Sequence, residues 1–291
     1  MKRIKLRQAI PRLAAASAVL ALALAAASCE GVTIGTGIGA VSSKVADHQR
    51  SSVSGLSSSR VEKAKSSLVV AYWHTSHGSQ LITGIDGMDA FYGGSGLYTL
   101  NGSSGLRLHE EGTDLGNPGL AQFEASVRAY LAANSATNVV MASWCGQVTS
   151  ASESMISDYL DRMTRLETDF PKVVFVYMTG HSDGTGPTGN LRARNDQIRA
   201  YCKSNGKWLY DFNDIESYDP DGTYYGDKNL TDNCDYDSNG DGNPDKNWAT
   251  DWQSAHPSEW WDCGSAHSQP LNANMKARAA WQLWCSIGET L

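Results

Sequence analysis

Four short apolar runs constrain this chain more than any other feature: SLVVAYW (67–73), TNVVMASW (137–144), KVVFVYM (172–178) and KWLYDF (207–212). Continuous apolar runs of this length, bounded by polar and turn-forming residues, are the pattern of strands buried on both faces. Segments of helical period lie between them. LAQFEASVRAYLAAN places Phe123, Val127 and Leu131 on one face. SMISDYLDRMTRLETDF carries a stripe of Met155, Tyr159, Leu160 and Met163, with Ser150 and Glu153 at capping-box spacing ahead of it. NLRARNDQIRAYCKSNG reads as a helix stopped by Gly206, and LNANMKARAAWQLWCSI as a closing helix. Strands alternating with helices predict an α/β fold over residues 67–291, a three-layer α/β/α sandwich around a mostly parallel sheet.

The first 28 residues read as an export signal and not as part of that fold. Lys2, Arg3, Lys5, Arg7 and Arg12 precede LAAASAVLALALAAAS, and Cys29 follows at the point where lipoprotein processing would acylate it. The expected location is the bacterial cell envelope, with the lipid as the only membrane attachment and no spanning helix. Removing the signal takes away five cations and no acid. The mature chain then has 19 basic against 31 acidic residues, net −12 where the whole chain is −7. That charge argues against a nucleic-acid partner, which needs a basic footprint. Residues 29–66, rich in Gly and Ser, read as a tether with a short helix around Val61. Export makes disulfides plausible, and Cys234 with Cys263 is the first pairing to expect among the five cysteines beyond Cys29.

In a parallel α/β sheet the chemistry sits beyond the carboxyl ends of the strands. Here those segments are HTSHGSQ, CGQ, TGHSDG and NDIESYD. Ser76 in the first is the candidate nucleophile, with Ser79 as its fallback. The base expected for it is His267, in DCGSAHSQPLN before the last helix, with Asp262 to orient the imidazole. His77, His181, Gly146 and Gln147 are expected to line the same mouth.

An early strand-end serine, polar donors after a middle strand and a late histidine resemble the SGNH (GDSL-type) esterase superfamily. The likeness covers roughly residues 67–288 in topology, while the motifs are only loosely kept. His74-Thr75-Ser76 stands where that family has Gly-Asp-Ser, which implies Ser76 as nucleophile with its own N–H among the oxyanion donors. Gln147, in Trp144-Cys145-Gly146-Gln147, stands for the family's asparagine donor, and the glycine donor is Gly116 or Gly119. Asp262 to His267 is two residues longer than the family's Asp-x-x-His. The resemblance implies a flavodoxin-like sandwich and a serine ester hydrolase, with acyl groups on a carbohydrate as a reasonable substrate.

Two other readings stand beside it. His74, His77 and His181, with His256 further along, offer dispersed ligands for a metallohydrolase, although His-x-x-His is a weak pattern without a helical H-E-x-x-H. A noncatalytic glycan-binding protein would use Trp248, Trp252, Trp260 and Trp261 as stacking faces. Independently of either, DSNGDGNPD (237–245) fits a calcium loop. Asp237, Asn239, Asp241 and Asp245 supply oxygens around Gly242, with Asp235 offering a second register. The expected calcium is structural, and no organic cofactor is implied.

Overall fold

The computed structural model describes residues 44–291. The export signal, Cys29 and the first part of the expected tether lie outside the described residues. The central sheet has six strands: β1 (Val45–Ala46), β2 (Val69–Trp73), β3 (Arg107–Glu111), β4 (Val139–Ala142), β5 (Val174–Met178) and β6 (Trp208–Tyr210). Their order is β1-β6-β5-β4-β2-β3, and each pairing is parallel. The chain steps from β2 to β3 on one side, then crosses back to place β4 on the other. The crevice at the carboxyl ends of β2 and β4 is therefore the topological switch point, where open α/β sheets bind ligands.

Successive strand residues point to opposite faces, and this sorts the apolar runs into two cores. Val70, Tyr72, Met141, Val176, Met178 and Tyr210 enter one core. It is closed by α1 (Ser58–Ser67), α2 (Ser79–Asp86) and α9 (Pro270–Gly288). Ala71, Trp73, Val140, Ala142, Phe175, Tyr177 and Leu209 enter the other. There α4 (Leu120–Ala133), α5 (Glu153–Asp169) and α6 (Asn190–Asn205) cover them. The result is the three-layer sandwich that the alternation predicted. Shorter helices, α3 (Met88–Phe91), α7 (Phe212–Glu216) and α8 (Trp248–Ala255), fill the connections.

Phe123, Val127 and Leu131 are buried on α4, and Tyr159, Leu160 and Met163 on α5, as their spacing required. Gly206 ends α6 in the left-handed conformation, φ 60°. The α5 cap differs from expectation. Ser152, not Ser150, accepts from the Met155 N–H, because Ser150 still belongs to the preceding 3-10 turn.

Residues 44–66, expected to belong to the tether, are ordered elements of the domain. Val45 and Ala46 pair with Leu209 and Tyr210, and Ser57 caps α1, which buries Val61 and Ala64. Residues 44–66 are thus part of the domain, since backbone pairing and two small apolar contacts need no long hydrophobic pattern. The expected Cys234–Cys263 bridge is also absent; all five cysteines of the described residues are free. Cys234 Sγ faces Ser268 Oγ at 3.6 Å, while Cys263 Sγ faces Asn274 Nδ2 at 3.4 Å.

Between α4 and α5, Glu124 accepts from Arg128 (2.8 Å), Arg162 (2.9 Å) and Arg165 (2.9 Å). Burial pushes this carboxyl up, but the bonds to Arg165 and Arg128 outweigh it and hold it at about 2, against an ordinary 4.5. A carboxylate depressed by folding stabilises above its unfolded pKa, and that stability is lost as pH falls through the folded value. Glu124→Gln is expected to lower stability at neutral pH. Its deficit against the parent should close between about pH 4.5 and about pH 2, read from urea melts across that window.

Candidate active site

Strand β2 ends at Trp73, and a 3-10 turn over Ser76–Gly78 runs directly into α2. Several contacts hold this turn. The buried Tyr72 hydroxyl donates to the Gly78 carbonyl at 3.0 Å, and Ser79 Oγ donates to the Ser76 carbonyl at 2.6 Å. Ser79 Oγ, the fallback candidate, is therefore engaged by the turn. Gly78 is required by close approach, since a Cβ there would lie 2.1 Å from Ser143 Oγ. The turn leaves Ser76 half-buried at the switch-point crevice.

His267 comes from the loop before α9, with a left-handed backbone, φ 62°. Its Nε2 is hydrogen-bonded to Ser76 Oγ, across 191 residues of sequence. Helix contact sets this meeting. Gly84 of α2 lies against the Ala273 carbonyl of α9, where a Cβ would come within 2.1 Å of that oxygen. The helices that follow Ser76 and His267 are thus in near backbone contact. Gln80 adds a direct tie by donating from Nε2 to the Ala266 carbonyl, next to His267.

Asp262 does not take the part expected of it. It is exposed, and no hydrogen bond joins it to His267 among the described residues. The carboxylate at the site is Asp232, from a loop that carries no recognisable pattern. One ring nitrogen each of His267 and His77 and one oxygen of Asp232 lie within 4.8 Å of one another. Burial raises the Asp232 carboxyl, but its hydrogen bond to His77 and the electrostatic pull of the flanking His181 and His77 imidazoles prevail and hold it below the usual range.

His77 is buried and clamped. Its Nε2 meets Asp232 Oδ2 at 2.9 Å and its Nδ1 meets Cys145 Sγ at 3.3 Å. Its ring stacks on His181 at 3.7 Å and on His267 at 4.5 Å. His181 hydrogen-bonds through Nδ1 to the Ser182 carbonyl at 2.7 Å, and its Nε2 is buried without a hydrogen-bond partner. Burial keeps this imidazole on the neutral side, its pKa lowered against an opposing pull from Glu216. Gly146 borders the same space, since a Cβ there would lie 3.9 Å from His181 Nε2.

The dispersed-histidine metal set does not assemble as the sequence suggested. His74 is bonded to Glu110 at 2.9 Å and stacks on Tyr72, while His256 lies on Trp252. His77 and His181 are stacked 8° from parallel, so their in-plane lone pairs run side by side and do not converge on one ion.

Gln147 and Gly116 do meet. Gln147 Nε2 donates to Asp114 Oδ1 at 3.1 Å, and its Oε1 accepts from the Cys145 N–H at 2.8 Å. Gly116 N also donates to Asp114 Oδ1, at 2.8 Å, while Thr75 Oγ1 donates to Oδ2 at 2.5 Å. The buried Asp114, unremarked in the sequence, thus ties the ends of β2, β3 and β4 together. Gly119 is the N-cap residue of α4.

Three of the four loop tryptophans are core residues. Trp248 and Trp252 are buried, and Trp261 donates to the Gly84 carbonyl at 3.0 Å beneath Arg278. Only Trp260 is half-buried, so plain packing describes this loop. A cleft of about 590 Å³, walled by His48, Tyr92, Asp219, Trp252 and Arg278, does not include Ser76. Concavity and chemistry point to different places here. The hydrogen-bonded Ser76–His267 pair is the stronger marker, because a cleft alone supplies no reacting group.

The acidic loop is bracketed by a two-stranded ribbon, β7 (Asp235–Tyr236) and β8 (Lys246–Asn247). Asp237 accepts from the N–H groups of Asn239 (3.2 Å), Gly240 (2.7 Å) and Gly242 (2.7 Å). Asp245 closes the loop by accepting from Ser238 N at 2.8 Å. These bonds hold both carboxyls below their ordinary range. Asp235 is not available for a second register. It accepts from Asn233 and Asn247, both at 2.8 Å, and so belongs to the ribbon.

No family model matches the chain, and no curated protein matches it significantly.

Proposed function

We propose that this protein is an exported serine ester hydrolase of SGNH type, anchored through Cys29 and acting on acyl groups of a carbohydrate. The hydrogen bond from Ser76 Oγ to His267 Nε2 carries this reading. Ser76 Oγ attacks the ester carbon while His267 Nε2 takes the hydroxyl proton. The tetrahedral oxyanion is held by the Ser76 N–H and by the amide hydrogen of Gln147 that Asp114 does not take. His267 then returns the proton to the leaving alcohol, and water repeats the sequence on the acyl-enzyme. Among the described residues no carboxylate is bonded to His267, so the proposed unit is a dyad. The ionised Asp232 nearby stabilises the imidazolium through space. His267 is exposed and Ser76 half-buried, which suits an acyl group presented on a large polymer. The test is an organophosphonate probe with p-nitrophenyl acetate as substrate: labelling at Ser76 with loss of turnover supports the reading, and turnover without Ser76 labelling ends it.

The 237–245 loop is proposed to hold a structural calcium. Its donors are all oxygen, the set a hard cation prefers, and the ribbon and the Asp237 bonds already fix the turn. Asp237, Asn239, Asp241 and Asp245 would bind the ion, which offsets the mutual repulsion of three carboxylates. Calcium at a hundredfold excess over Kd should add about 3 kcal/mol, a rise in Tm of roughly 5–10 °C for a domain of this size. Asp241→Ala should abolish that rise. An unchanged Tm with calcium or chelator, followed by differential scanning fluorimetry, would remove the ion from the account.

A further inference from the structure

Cys145 follows β4 as Ser76 follows β2, and the two strands are neighbours on either side of the switch-point crevice. Of the five cysteines among the described residues, three are buried, whereas Cys145 and Cys263 are half-exposed. Only Cys145 has an imidazole against its sulfur, His77 Nδ1 at 3.3 Å. The far side of that ring meets Asp232 Oδ2 at 2.9 Å. An ionised carboxylate only accepts, so Nε2 carries the hydrogen and Nδ1 presents a lone pair to the thiol. Stacking on His181 and His267 fixes the ring plane, and Gln147 Oε1 holds the Cys145 N–H at 2.8 Å. A Cβ at the adjacent Gly146 would lie 3.9 Å from the buried, unpartnered Nε2 of His181.

We propose that Cys145 is a second nucleophile of this crevice, with His77 as its base and Asp232 as the group orienting that base. Its substrates are activated acyl compounds, oxygen esters or thioesters. The thiol proton passes to His77 Nδ1 as Sγ bonds the acyl carbon. The bond from that carbon to the leaving group breaks, and the leaving alkoxide or thiolate takes the proton from His77. Water then hydrolyses the Cys145 thioester, releasing the acid and restoring the thiol. This chemistry stands on residues other than Ser76 and does not depend on the serine reading.

The test uses the purified full chain. Pulses of iodoacetamide are followed by peptide mass spectrometry. Cys145 is expected to alkylate at least about tenfold faster than Cys263, because the imidazole 3.3 Å from its sulfur can take the thiol proton as the carbon–sulfur bond forms. His77→Gln should remove that advantage, and Asp232→Asn should reduce it, with folding checked by near-UV circular dichroism. If His77→Gln does not fold, Asp232→Asn decides. In the Ser76→Ala chain, p-nitrophenyl acetate should acetylate Cys145, and neutral hydroxylamine should release the acetyl group. Equal alkylation of Cys145 and Cys263 overturns the proposal, as does a rate unaffected by the folded variants. Phosphonate labelling of Ser76 reads the other nucleophile separately, so either assignment can fail alone.

Discussion

Ser76→Ala is expected to cut turnover of p-nitrophenyl acetate by on the order of 10⁶-fold, the loss that removing the nucleophile costs a serine protease. Stability should hardly change. Ser76 Oγ makes its hydrogen bond to the exposed His267, so its loss uncovers no buried polar group. The pairing of those two results is what separates a nucleophile from a helix-capping serine, for which the pattern would be reversed. Any residual turnover should be sensitive to iodoacetamide if Cys145 acts as proposed. Retention of more than about a tenth of the parent kcat, with the fold intact, would show that Ser76 does not carry the reaction.

The second large effect is expected at Lys276→Met. Lys276 is fully buried in α9, with Nζ bonded to Glu216 Oε2 at 2.8 Å and to Gln80 Oε1. Burial pushes this ammonium's pKa down, and the pull of Glu216 opposes that. Glu216 also accepts from the Ser182 N–H, and Gln80 donates to the Ala266 carbonyl. One buried pair therefore reaches the residues beside both His181 and His267. Breaking it leaves an uncompensated charge in the core, a loss of about 3–5 kcal/mol, or on the order of 10 °C in Tm. The double variant Lys276→Met with Glu216→Gln should recover much of that stability, since no lone charge remains. Its turnover should stay low, because Gln80 has lost the partner that aims it at the His267 loop. Thermal melts and kcat for the two variants check both points; a double variant with full activity would show that the pair serves stability alone.

Legibility followed burial. The four interior strands were readable because both faces of each are covered, which forces an unbroken apolar run. The edge strands were not. In β3, Arg107, His109 and Glu110 are exposed, so nothing in RLHEE announces a strand, and β1 is a two-residue pairing supplied by backbone alone. The same reasoning explains the tryptophans around 248–261. Their density suggested a stacking surface, but most of that aromatic area is used to seal α8 and the following loop onto α9.

By itself the sequence determined the layered α/β architecture and the two positions, after the first long strand and before the last helix, from which a serine and a histidine would have to come. Both follow from local patterns: apolar runs, helical period and chain order. Only the tertiary structure decided which groups surround that pair. Asp232 and not Asp262 lies beside the pair, Asp114 emerged as the tie between three strand ends, and His77 turned toward Cys145 instead of toward His74. Such groups arrive from loops, where neither periodicity nor spacing constrains side-chain direction, and what brings them together is the close packing of α2 on α9 and of β2 beside β4.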